Sequence, residues 1–88
     1  MHVLTQSKPH YPDRLRSANV EGRVLVQFSV DTMGRVDMAS VRVVDATHDL
    51  FTQAVLQALP NFRFTPAEVN GVRVRALAQM PFEFALER

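Results

Sequence analysis

The longest regular pattern in the chain is its last. Between residues 72 and 86 every even position is apolar: Val72, Val74, Ala76, Ala78, Met80, Phe82, Phe84 and Leu86. The odd positions Arg73, Arg75, Gln79 and Glu83 are polar, with Leu77, Pro81 and Ala85 between them. A period of two held this long predicts an extended strand with one face on a core. Pro81 falls on the outward set and has no N–H for a ladder, so it fits only where its nitrogen faces an unpaired side. The pattern therefore predicts a long edge strand that the fold leaves open. Such an edge is either blunted against aggregation or used for docking.

The preceding residues divide into shorter patterns. Residues 1–10 show no periodicity and contain Pro9, which reads as a flexible lead-in to a domain over residues 11–88. Pro12 suits the first position of a short helix with Leu15 and Ala18 on one face and Tyr11 beneath them; the helix stops near Asn19. A strand over residues 23–31 turns Val24, Val26, Phe28 and Val30 inward, and Gly34 in the following connection is available for a positive φ. In the return strand over residues 36–44, Val36 and Met38 share one parity and Val41 and Val43 the other. Keeping both pairs on the core face requires a β-bulge near Ala39 and Ser40. Thr47 is a candidate cap for a helix in which Phe51, Ala54, Val55, Ala58 and Leu59 form an apolar stripe, ended by Pro60. Phe62 and Phe64 then enter the core from one side, and Asn70-Gly71 marks a turn into the last strand. The expected fold is α+β in two layers, a three-stranded antiparallel sheet with two helices packed on one face, in the order α-β-β-α-β.

Composition narrows the functional classes. The length of 88 residues is that of one domain, and a hydrophobic fraction of 47% is that of a globular one. The net charge of +1, from 10 basic and 9 acidic residues, lacks the dense basic stripe of a nucleic-acid interface. With 0 cysteines, disulfides, thiol redox chemistry and cysteine-ligated zinc are excluded. No run approaches the roughly 18 apolar residues that cross a bilayer, so no membrane span is expected in these residues. His2, His10 and His48 have no metal-like spacing, and no serine or threonine has a histidine placed to activate it. Asp45 and Asp49 bracket a helix start, where carboxylates suit the helix dipole. Gly22, Gly34 and Gly71 are isolated, so no phosphate loop is formed. The expectation is no enzyme: no catalytic residue, no cofactor and no metal. Arg73 and Arg75 flank the open edge, either to steer an acidic partner or as part of a solvated strand face.

Several segments in order carry a family pattern: Tyr11-Pro12, then Val20-Glu21-Gly22-Arg23-Val24, Phe28-Ser29-Val30-Asp31, Gly34-Arg35-Val36, Phe62-Arg63-Phe64-Thr65-Pro66-Ala67 and Met80-Pro81-Phe82-Glu83-Phe84. Over about residues 8–87 the chain resembles the TonB C-terminal domain family. Phe62 stands where that family usually has a tryptophan. The resemblance implies a periplasmic module of a Gram-negative energy transducer, in which an inner-membrane helix couples to a proton-driven motor and a proline-rich spacer crosses the periplasm. It implies that the domain grips the TonB box, a short peptide of a TonB-dependent outer-membrane receptor, by adding it as a strand beside its own last strand. Carried onto this sequence, the partner-binding residues are Val74, Arg75, Ala76, Leu77, Ala78 and Gln79, flanked by Arg73.

The membrane helix and spacer of that family are not among these residues, which leaves two expectations. One is a domain of a longer, inner-membrane-anchored transducer. The other is a stand-alone TonB-like structural subunit that fastens onto a larger membrane or envelope protein complex without energy transduction. A homodimer formed by edge pairing is a third outcome for any exposed strand.

Overall fold

A computed structural model describes residues 1–86. The elements run β1 (Val3–Thr5), α1 (Asp13–Ser17), β2 (Gly22–Val30), β3 (Val36–Ala46), α2 (Asp49–Ala58), a 3₁₀ turn (Leu59–Asn61), β4 (Arg63–Phe64), β5 (Ala67–Val69), β6 (Val72–Val74) and β7 (Ala76–Phe84). The main sheet is antiparallel in the order β3-β2-β7, so the second strand in sequence lies at its centre. The expected order α-β-β-α-β is carried by α1, β2, β3, α2 and β7. The last two residues of the expected domain lie outside the described residues.

Side-chain periodicity accounts for the core. Val24, Val26, Phe28 and Val30 are buried, and so are all five residues of the helical stripe, Phe51, Ala54, Val55, Ala58 and Leu59. Full burial of a large aliphatic or aromatic side chain contributes about 1.5–3 kcal/mol, so these facing rows hold the two layers together. Phe62 and Phe64 are both buried, as expected, with ring centroids 6.3 Å apart. A second aromatic group joins three distant segments. Phe51 of α2 stacks on Phe84 of β7 at 4.3 Å, and Tyr11 meets both edge-on at 5.5 and 5.6 Å. The Tyr11 hydroxyl donates to the Val20 carbonyl, which closes the segment around α1. Burial, helped by the charge of Glu21, pushes the Tyr11 phenol above its ordinary pKa.

The β2–β3 connection is built around Asp31 and Gly34. The Asp31 carboxylate accepts from the N–H groups of Met33 and Arg35, both at 2.9 Å. The Arg35 N–H is the main reason that this carboxyl is held below the ordinary aspartate range. Gly34 has φ +82°, and a Cβ placed on it would lie 2.0 Å from the Phe64 carbonyl oxygen. Only glycine meets both conditions, which allows the Phe64 N–H to reach the Gly34 carbonyl at 2.8 Å.

The bulge expected near Ala39 and Ser40 is present and larger than one residue. Between Gln27 and Ser29 of β2, the partner on β3 changes from Arg42 to Asp37. Ser40 repairs the interrupted ladder with its side chain: its hydroxyl accepts from the Ser29 N–H at 2.8 Å and donates to the Asp37 carbonyl at 2.6 Å. Ser40→Ala leaves a half-buried N–H without that acceptor and is expected to lower stability by about 1–2 kcal/mol in urea unfolding. A second register shift lies between Leu25 and Val26. With both shifts, Val36, Val41 and Ala46 pack against the core, while Met38 and Val43 remain exposed, contrary to the expectation that they face inward.

Other expectations are corrected by local geometry. His48, not Thr47, caps α2, its Nδ1 accepting from the Leu50 N–H at 3.0 Å. Thr47 instead accepts from the Arg23 N–H at 3.0 Å through its Oγ1 and ties α2's approach to β2. In the lead-in, Val3–Thr5 forms β1 and pairs antiparallel with β4. The last strand is not continuous. Residues 72–74 pair with β5 as a separate hairpin, Arg75 lies between ladders, and β7 starts at Ala76.

Candidate sheet edge for partner binding

The open edge follows from backbone parity. In an antiparallel ladder successive residues turn their N–H and C=O alternately to the two neighbouring strands. The odd residues of β2 turn towards β3: Ser29 N–H reaches Ser40, Arg23 N–H reaches Thr47, and the Arg23 carbonyl accepts from the Thr47 N–H at 3.0 Å. The even residues of β2 therefore turn towards β7. Their partners are Phe84, Phe82, Met80, Ala78 and Ala76, in a register without shifts from Gly22↔Phe84 to Val30↔Ala76. Even residues of β7 thus use their backbone on β2. Leu77, Gln79, Pro81 and Glu83 turn theirs to the outer edge, where no strand lies among the described residues.

Pro81, opposite Leu25, therefore has its missing donor on the free side, where the ladder to β2 loses nothing. It interrupts the outward row: Leu77 and Gln79 offer N–H and C=O before it, and Glu83 beyond it. The opposite margin of the sheet is β3, whose two register shifts spoil it as a template for pairing. The regular edge is β7.

The residues expected to bind a partner fall into three groups. Leu77, 65% exposed, and Gln79 present both side chain and backbone outward. Ala76 and Ala78 are half-buried and spend their backbone on Val30 and Phe28. Arg73 and Val74 belong to the hairpin, opposite Glu68 and Ala67. Arg75 stands apart, its guanidinium paired with Asp37 of β3. Glu83 shares the outward parity of Leu77 and Gln79 but lies beyond Pro81, outside the residues expected to bind a partner. Asp37 carried no signal, since nothing local links it to residue 75. An open groove of about 490 Å³ lies beside the far end of β7, between residues 8–11 and 82–85. Among the described residues no three metal-ligating side chains come together, and no helix is long and apolar enough to cross a membrane.

A three-stranded sheet under two helices, with one regular unpaired edge strand, defines a class of small α+β domains that display a free sheet edge. Within that class the chain belongs to the family described as Gram-negative bacterial TonB protein C-terminal, whose pattern it matches over residues 7–86. It is 40% identical over 63 residues to Protein TonB of Yersinia enterocolitica, covering 70% of this chain and 24% of that protein. Protein TonB of Pseudomonas aeruginosa is 31% identical over 86 residues, covering 97% of this chain and 25% of that protein. The solution NMR structure of the Pseudomonas aeruginosa TonB CTD superposes with a TM-score of 0.82 at 31% identity, covering 98% of this chain and 86% of that one. The chain spans about a quarter of the length of these curated relatives.

Proposed function

We propose that this domain is the periplasmic peptide-binding part of a TonB-type energy transducer, gripping the TonB box of an outer-membrane receptor by strand addition to β7. The observation that carries the reading is the outward parity of Leu77 and Gln79 on an edge strand whose register to β2 has no shift. Membership of the TonB C-terminal family supports it. Their two N–H and two C=O groups, at about 0.5–1.5 kcal/mol net per hydrogen bond, provide about 2–6 kcal/mol before the costs of association. Backbone pairing alone therefore yields binding on the order of millimolar or weaker, and contacts to side chains such as Leu77 must set the useful affinity and the choice of partner.

Titration with a synthetic peptide carrying a receptor's TonB box tests this reading by backbone amide shifts. The expected result is that the largest perturbations fall on Leu77 and Gln79, with smaller ones on Ala76 and Ala78. Perturbation confined to α2 or β3 would reject it. The same edge closing on a second copy would appear instead as concentration-dependent shifts at Leu77 and Gln79 without any peptide.

A further inference from the structure

We infer that Arg75 is a positioning residue for strand addition: through Asp37 it pins the start of β7 across the sheet and keeps the outward groups of Leu77 and Gln79 in line. The inference rests on the strand-addition reading and adds a role that the sequence did not suggest, where Arg75 was a partner-binding residue, a steering charge or a solvated side chain.

Arg75 sits where the chain changes ladder partners. Val74 pairs with Ala67 in the hairpin, and Ala76 pairs with Val30, the last residue of β2. A junction between two ladders has no pairing of its own, and a two-stranded hairpin is marginal by itself. Movement of the hairpin is therefore transmitted directly to Ala76, two residues before Gln79's neighbour Ala78. Something must fix the junction if the edge is to be straight when a partner strand arrives.

The side chain of Arg75 does so over the outer face of the sheet. Ser29 of β2 pairs with Leu77 on one side and Asp37 on the other, so these three residues form one row across the strands. Arg75 reaches diagonally over this row to the Asp37 carboxylate on the far strand. Asp37 is itself held in place. Its Oδ1 accepts from the Ala39 N–H at 3.1 Å, and its carbonyl accepts from the Ser40 hydroxyl at 2.6 Å. That hydroxyl in turn accepts from the Ser29 N–H at 2.8 Å. The chain Arg75–Asp37–Ser40–Ser29 thus ties all three strands of the sheet at the end where the docking residues lie. The β3 bulge, which spoils one edge for pairing, anchors the other.

Because the pair is partly exposed, its effect is modest and of a size that exposed ion pairs show. In the free protein, Arg75→Ala is expected to speed amide exchange at Ala76 and Ala78 about two- to fivefold while leaving Phe82 unchanged. Asp37→Asn keeps an acceptor for Ala39, removes the charge, and is expected to act alike. Affinity for the TonB-box peptide falls about two- to fivefold in each variant, and the double variant loses no more than either single one. Unchanged exchange in Arg75→Ala overturns the inference. So do additive losses of affinity, or a loss confined to Arg75→Ala, which would make Arg75 a direct contact of the partner. If the wild-type edge does not bind the peptide at all, the strand-addition reading fails, while the exchange measurement still decides whether the pin exists.

Discussion

Phe51→Ala will lower the unfolding free energy by about 3–5 kcal/mol, the range for truncating a large buried aromatic residue. Phe51 is 0% exposed and carries contacts that bind three parts of the chain: Tyr11 before α1, His48 at the cap of α2, and Phe84 at the end of β7. Its removal empties the space between the stacked ring and the edge-on ring, and the short α1 has little else to lean on. For 88 residues a total stability on the order of 4–13 kcal/mol is ordinary, so the loss is a large fraction of it. Urea unfolding gives the magnitude. The chain has 1 tyrosine and 0 tryptophans, so near-ultraviolet dichroism follows the Tyr11 environment with little interference. A loss below about 1 kcal/mol would mean that the three segments hold together without the ring.

The second large effect is a contrast between neighbours. Leu77→Pro is expected to weaken TonB-box peptide binding tenfold or more while changing stability by less than about 1 kcal/mol, because proline is tolerated where an edge strand's N–H faces solvent. Pro81 is the precedent in the same strand and on the same parity. Ala78→Pro removes an N–H that serves the ladder to Phe28 on β2, and is expected to destabilise the fold by about 3 kcal/mol or more. Calorimetric titration with the peptide and urea unfolding together separate the two. Wild-type affinity in Leu77→Pro would remove β7's outer edge from the site. Equal destabilisation by both prolines would mean that the backbone parity is assigned to the wrong strand.

Much of this was legible in the sequence wherever the signal is local. Alternation named the inward residues of β2 and β7, and spacing of three and four named the buried stripe of α2. The parity conflict between Val36 and Val41 located a bulge, because a strand can change face only by inserting residues. What local signals could not show was where one ladder ends and another begins. Residues 72–86 alternate without a break, yet alternation only records which side a residue faces and is blind to its pairing partner. The hairpin at Asn70 and Gly71 takes Val72–Val74 for β5, and the split at Arg75 follows. Met38 and Val43 misled for a related reason. Hydrophobic residues on a doubly bulged edge strand share parity with the core without lying over it. Thr47 was the expected cap, but its hydroxyl is taken up by the Arg23 N–H beside Gly22, where a Cβ would lie 2.0 Å from Thr47 Oγ1, and the cap falls to His48.

By itself the sequence determined the class of fold, the two faces of the last strand, and through Pro81 that one side of that strand stays unpaired. Each of these is a property of neighbouring residues, set by the pleat and by a missing N–H. The tertiary structure alone decided that β2 is central, so that Leu77 and Gln79 are the residues whose backbone remains free ahead of Pro81. It alone gave Arg75 its partner, 38 residues away in the chain. Strand order and cross-sheet contacts depend on which distant segments close against one another, and no periodicity within a segment records that choice.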